Sequence, residues 1–138
     1  MFVDALSAAE KEVLVRVLCE VARADQTVSA EERDIITRYG LSLGLNKKDL
    51  DVAMATSAMV AADELRALPE RTRKVILIEA QTLAMIDGDY AEVEASSVDA
   101  LAERLGLDAP TRVSIDQYVR RGYEWAKEGA AIVGGEAS

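Results

Sequence analysis

An acidic run in the second half of the chain is the part of the sequence best suited to bind a cation. No Lys or Arg lies between Lys74 and Arg104, and seven carboxylates fall in that interval: Glu79, Asp87, Asp89, Glu92, Glu94, Asp99 and Glu103. Oxygen ligands of this kind suit Ca²⁺ and Mg²⁺, and several of them lie within a short Asp-Gly-Asp segment and the helical turn that follows it. The spacing therefore predicts a divalent-cation site. Its ligands would be Asp87, Asp89, Glu92 and Glu94.

A second and poorer set of carboxylates lies 62 residues earlier in the chain. Asp25 aligns with Asp87 and Glu32 aligns with Glu94, whereas Thr27 takes the place of the second aspartate. Only Asp25, Glu31 and Glu32 remain there, so an ion would have fewer charged ligands. We therefore expect this first set to bind a cation more weakly than the second set, or not at all.

The same carboxylates also have an interpretation without any ion. Asp-Gly is an ordinary turn signal, and Glu32 and Glu94 stand where a capping-box glutamate reaches back to a free helix amide. Carboxylates near a helix start also interact favourably with the helix dipole. An EF-hand is excluded, because a loop starting at Asp87 would place Glu92 at its glycine position and Val98 at its bidentate position. Cation binding and helix capping both stay open at this point.

Composition and charge narrow the classes of function. The chain has 138 residues, 16 basic and 25 acidic side chains, a net charge of −9 and a hydrophobic content of 50%. One folded acidic domain is expected at this length. The charge argues against binding nucleic acid or an anionic membrane surface, and no apolar run approaches the length of a membrane span. The absence of His removes the usual acid–base residue at neutral pH.

The other residues that could take part in catalysis are better explained by structural roles. Cys19 is the only cysteine, so the fold needs no disulfide, and we expect a cytoplasmic protein. Cys19 lies beside an apolar helical face and has no His to activate it, which favours a buried thiol over a nucleophile. The sequence contains no phosphate-binding loop and no nucleophile elbow. We therefore expect a protein that is not an enzyme.

The chain reads as helices throughout. Capping boxes predict helix starts at Ser7–Glu10 and Ser29–Glu32. Asn46 predicts a third start, for a helix that runs towards Ala67 and is closed by Pro69. The second half continues with a helix to Met85, a turn at 87–89, a helix ending at Gly106, a last helix from Asp108, and a mobile tail over residues 128–138.

An overlay at an offset of 62 residues aligns the two halves without a gap. Leu43-Gly44-Leu45 falls on Leu105-Gly106-Leu107, and Asn46 falls on Asp108. We therefore predict an all-α bundle of about six or seven helices in a single domain, residues 1–127. Two pseudo-symmetric three-helix repeats, about 7–68 and 69–127, would bury their apolar faces against each other.

The repeated segments 21–32 and 83–94 resemble the tellurite-resistance TerB-like family. The signature is an alanine-rich helix end, Asp-Gly, a hydrophobic residue two positions on, and a Glu that opens the next helix. The second copy matches it better, because Gln26 replaces the glycine in the first copy. The resemblance covers roughly residues 7–127. It implies an all-helical fold, an association with tellurite or general stress responses, divalent-metal binding at acidic clusters and no established catalytic activity.

Three hypotheses for function follow. The first is a non-enzymatic TerB-like adaptor or sensor in which Ca²⁺ or Mg²⁺ binds near Asp87 and Glu94 and biases a partner surface. The second is a metal-free module whose acidic face attracts a basic protein partner. The third, and weakest, is a metal-dependent hydrolase that uses the same carboxylates. An unidentified protein partner is expected, and a homodimer is one form that it could take.

Overall fold

The computed structural model describes residues 2–22, 30–55, 59–85 and 92–134, with the backbone alone described at 22, 31, 32 and 92–95. Within these ranges the chain is helical and has no strand, which confirms the predicted all-α class. A short 3-10 helix, Phe2–Ala5, precedes seven α-helices: α1 Ala8–Ala22, α2 Ala30–Ser42, α3 Lys47–Ala55, α4 Ala62–Arg66, α5 Glu70–Met85, α6 Glu92–Arg104 and α7 Ala109–Ile132. None of the described helices is long and apolar enough to span a membrane.

The first predicted capping box is confirmed at the start of α1. The Ser7 N–H donates to Glu10 Oε1 at 2.8 Å, and the Glu10 N–H donates to Ser7 Oγ at 3.2 Å. These reciprocal bonds satisfy two amides that have no partner inside the helix. The second predicted box, Ser29–Glu32, lies outside the described residues and side chains.

Two further helix starts also follow the sequence signals. Asn46 Oδ1 accepts a hydrogen bond from the Asp49 N–H at 2.8 Å at the start of α3. Asp108 Oδ1 accepts from the Thr111 N–H at 2.9 Å at the start of α7, where Pro110 occupies the first turn. Both caps use a short polar side chain to bond an amide three residues on.

The single helix predicted from Asn46 towards Ala67 is wrong. Helix α3 ends at Ala55, and α4 begins only at Ala62. Between them Val60 is fully buried, its N–H donates to Glu20 Oε1 at 2.6 Å, and its carbonyl accepts from Arg104 Nη1 at 2.7 Å. Distant side chains thus take the backbone groups that a continuous helix would have paired internally.

Helix α7 extends further than the sequence indicates. It continues to Ile132, so the segment predicted as a tail from residue 128 begins inside the helix. The mobility of that tail stays a prediction.

Helices α1 and α5 form the centre of the bundle. Helix α1 packs against α2, α3, α5 and α6, while α5 also packs against α4, α6 and α7. The larger core cluster joins the two halves and includes the fully buried Leu14, Ile76, Leu101 and Leu105. A smaller cluster lies between α1, α2 and α3 and contains Val15, Cys19, Ile36, Leu50, Ala53 and Met54. The predicted burial of Cys19 is confirmed.

Elements in the two halves start at corresponding positions. Helices α1 and α5 start at 8 and 70, α2 and α6 at 30 and 92, and α3 and α7 at 47 and 109. The turns after α2 and α6 both use a glycine with positive φ, 89° at Gly44 and 68° at Gly106, a conformation that glycine adopts without strain. A duplicated origin and a pseudo-two-fold axis stay predictions.

Candidate functional site

The six predicted metal ligands fall at the starts of α2 and α6 and in the loops before them. Asp25, Asp87 and Asp89 lie outside the described residues. Glu32 is the third residue of α2, and Glu94 is the third residue of α6. Glu92 opens α6. The side chains of these three glutamates are not described, so the convergence of the six carboxylates stays a prediction.

Among the residues whose side chains are described, no group of three or more Asp, Glu or Cys residues is arranged to hold a metal ion. Helix α6 is the element that would position Glu92 and Glu94, because both lie in its first turn.

Glu10 shows how this chain uses a carboxylate that is fully described. Its Oε1 atom closes the capping box with Ser7, and its Oε2 atom accepts a hydrogen bond from the Thr72 hydroxyl at 2.5 Å. These bonds, the one from Thr72 first, lower the pKa of Glu10 below its ordinary value, because each of them stabilises the ionised form. Here a Ser-x-x-Glu carboxylate both caps a helix and joins the two halves.

A partly buried ion pair connects the far end of α6 to α1. Arg104 pairs with Glu20, and their side chains are only 16% and 10% exposed. Glu20 also accepts from the Val60 N–H, and Arg104 donates to the Val60 carbonyl. The Nε atom of Arg104 is buried and has no hydrogen-bond partner among the described residues. Sequence reasoning missed this pair, because its members lie 84 residues apart and carry no local pattern.

Further arginines bond to the backbone at the end of α6. Arg66 Nη2 donates to the Glu103 carbonyl at 2.9 Å, and Arg73 Nη1 donates to the Leu105 carbonyl at 2.9 Å. The last carbonyls of a helix have no partner inside it and carry its negative dipole end, so cationic donors stabilise them. The carboxyl end of α6 is thus held by side chains of other helices, whereas its amino end follows the acidic segment 87–89 in the sequence.

A second contact between the halves involves Tyr39 and Glu79. The Tyr39 hydroxyl is buried and makes no hydrogen bond of normal geometry to a described residue. Burial first, and then the nearby Glu79 carboxylate, raise the pKa of Tyr39 far above its ordinary value, because both disfavour the phenolate. The Tyr39 phenol is therefore protonated at neutral pH and is not a base there.

The aromatic residues of α7 differ in burial. Tyr123 is partly buried against the larger core cluster, whereas Tyr118 is 49% exposed and Trp125 is 78% exposed. Tyr118 stacks edge-to-face on Phe2, with ring centroids 6.3 Å apart. Packing on the core therefore accounts for the aromatic side chain at Tyr123 but not for the one at Trp125.

The family comparison matches part of the amino-terminal half of the chain. The model of the family described as "Tellurite resistance protein TerB" matches residues 2–55. The predicted resemblance is confirmed there. This TerB segment runs from the 3-10 helix to the last residue of α3, and its counterpart at an offset of 62 residues runs over 64–117. No curated protein and no solved structure matches the chain.

The TerB segment includes the connection between α1 and α2. Its end coincides with the end of α3, so it holds α1, α2 and the connection between them, where Asp25 stands. The sequence resemblance was predicted over roughly 7–127, whereas the family match ends at residue 55. The richer acidic loop, before α6, lies in the half beyond the match.

Proposed function

We propose that this protein is a non-enzymatic adaptor or sensor of the TerB type that binds a divalent cation, Ca²⁺ or Mg²⁺, at the loop before α6. The ligands are the carboxylates of Asp87, Asp89, Glu92 and Glu94. The observation that carries the proposal is the start of α6 at Glu92. It places two carboxylates in the first turn of a helix, directly after two loop aspartates.

Charge supports this position for a cation. No basic residue lies between Lys74 and Arg104, so no cationic side chain from this stretch competes for the carboxylates. Several uncompensated carboxylates close in sequence repel one another, and a divalent cation relieves that repulsion. The corresponding segment before α2 has only Asp25 and Glu32 at the aligned positions, so it binds a cation more weakly or not at all.

The fixed end of α6 explains how binding could be sensed. Arg66, Arg73 and the Glu20–Arg104 pair hold the carboxyl end of α6 against α1, α4 and α5. A cation at the amino end of α6 then shifts that end of the helix, while the carboxyl end stays held in place. The shift changes the surface that the amino end of α6 presents to a protein partner.

Titration of chelator-treated protein tests the proposal. Ca²⁺ and Mg²⁺ are added separately, and binding is followed by calorimetry and by amide NMR. Saturable binding with shifts at the start of α6, abolished in Asp87→Asn/Glu94→Gln, is the expected result. The matched control is Glu12→Gln/Asp51→Asn, which removes two negative charges from exposed sites in α1 and α3 and should keep the binding.

Absence of binding at about millimolar ion, the weak end of protein calcium sites, would overturn the proposal. The carboxylates would then serve helix capping and surface electrostatics. A salt-sensitive interaction with a basic protein, unaffected by chelator, would in that case favour the metal-free module.

A further inference from the structure

Helix α7 extends past the core that anchors it. Its buried side chains are Ile115 and Val119, and Tyr123 is the last aromatic that packs on the larger core cluster. Beyond Tyr123, Trp125 and Ile132 are both 78% exposed. An apolar helix face of this kind, uncovered by any described residue of the chain, is unusual on a monomer.

The exposed face has a regular pattern. We call it the α7 stripe, and its residues alternate large and small side chains at spacings of four and three: Tyr118, Gly122, Trp125, Gly129 and Ile132. This is the heptad spacing of a helix–helix seam. A glycine inside a helix costs roughly 0.5–1 kcal/mol relative to alanine, and it permits another backbone to approach closely.

The space beside these glycines is not filled by the described part of the same chain. A Cβ atom added at Gly122 or Gly129 would meet no atom within 4 Å. In contrast, Gly40 of α2 packs directly on Leu50 of α3. The two α7 glycines therefore leave space that no described residue of this chain occupies.

We propose that the α7 stripe packs antiparallel against the α7 stripe of a second copy of this chain. In antiparallel pairing of two heptad seams, Trp125 packs over the partner's Gly122 and Tyr118 packs over the partner's Gly129. Each contact occurs twice around a two-fold axis, as in an isologous dimer. The dimer covers the exposed part of α7, and it does not depend on cation binding.

Charges beside the stripe select the second copy and the antiparallel direction. Arg121 and Glu128 are exposed and occupy equivalent heptad positions, seven residues apart. Antiparallel pairing brings Arg121 next to the partner's Glu128, twice per dimer. Parallel pairing would instead set Arg121 opposite the partner's Ala126, so that neither charge would gain this partner.

A surface groove continues the same face towards the amino end of α7. It has a volume of about 430 Å³, and its walls include Phe2, Ile78, Ile115 and Tyr118. In the antiparallel register the partner's Ile132 lies opposite Ile115. The exposed carboxyl end of α7, with Val133 82% exposed, then enters an apolar groove instead of water.

Mass in solution tests the dimer directly. The full chain should have about twice the monomer mass of 14.9 kDa by sedimentation or light scattering. Trp125→Ala and Gly129→Leu should each shift it to the monomer mass, and circular dichroism should show unchanged helix content. Val113→Ala, at an exposed apolar residue on another face of α7, is the matched control and should stay dimeric.

Charge exchange tests the direction of pairing. Arg121→Glu and Glu128→Arg should each be monomeric alone, and an equimolar mixture of the two should recover the dimer mass. A wild-type chain that stays at the monomer mass at high concentration would overturn the proposal. The α7 stripe would then be a surface for a different protein. A dimer that survives both Trp125→Ala and Gly129→Leu would overturn it too.

Discussion

Thr72 donates a hydrogen bond from its hydroxyl to Glu10 Oε2 at 2.5 Å, and the two residues are 62 positions apart, the offset that aligns the two halves of the chain. Each lies in the first turn of a central helix, Glu10 in α1 and Thr72 in α5. The contact therefore joins equivalent points of the two halves. It is also asymmetric, since one half supplies the acceptor and the other supplies the donor.

Glu10→Gln should remove an acid-sensitive part of the stability. The pKa of Glu10 in the folded protein lies below its ordinary value of 4.5, so the unfolded chain takes up this proton first on acidification. The contribution of Glu10 is present above pH 4.5 and disappears as the pH falls through the lowered value. In urea unfolding, the difference in free energy between wild type and Glu10→Gln should shrink from about pH 7 to about pH 3. A constant difference over that range would contradict this assignment.

Arg104→Met should destabilise the fold strongly. It leaves the Glu20 carboxylate, 10% exposed, without its partner, and breaking such a pair from one side costs about 3–5 kcal/mol. Chemical unfolding measures the loss. The double variant Glu20→Leu/Arg104→Leu should recover part of it, because no buried charge is then left alone. The control is Arg38→Met, which removes an exposed pair with Asp34 and should change stability little.

Gly40→Ala should destabilise the packing of α2 on α3. The added methyl group would overlap the side chain of Leu50, which is fully buried. Overpacking of this kind costs about 1–3 kcal/mol. Leu50→Ala alone should also destabilise, by about 2–5 kcal/mol, through the cavity that it leaves. The double variant should lose less than the sum of the two, and additive losses would show that Gly40 and Leu50 do not share this space.

Tyr39→Phe should protect the fold against alkali. The pKa of Tyr39 is raised in the folded protein, so above the ordinary value of 10.0 the unfolded chain loses its proton more readily and stability falls as the pH rises. The Phe variant should lose less stability than wild type above pH 10, because it has no proton to lose at this position. Near neutrality it should be as stable as wild type or more so, since the hydroxyl makes no normal hydrogen bond to a described residue. The exposed Tyr118→Phe should not protect the fold.

Local signals carried most of the fold prediction. The box of Ser7 and Glu10 and the turn at Gly44 each depend on residues a few positions apart, so the sequence alone predicts them. The break between α3 and α4 depends instead on Glu20 and Arg104, which are far away in the chain. No periodicity encodes that contact, and helix propensity predicts a continuous helix there.

The candidate site was predictable only in outline. The sequence places Glu92 and Glu94 at the opening of a helix, and α6 does begin at Glu92. Convergence of these carboxylates on Asp87 and Asp89 depends on how the loop turns in space. Residue types and spacing do not determine that path. The titration with Ca²⁺ and Mg²⁺ therefore decides whether these carboxylates cap the helix or bind a cation.

The arginines at the end of α6 have a consequence for the electric field around the molecule. Arg73, Arg104 and Arg112 are partly buried, and each donates to a backbone carbonyl. Part of the positive charge is thus directed towards backbone carbonyls, and less of it faces the solvent. With a net charge of −9, the molecule attracts small cations to its surroundings before any of them finds a specific ligand set.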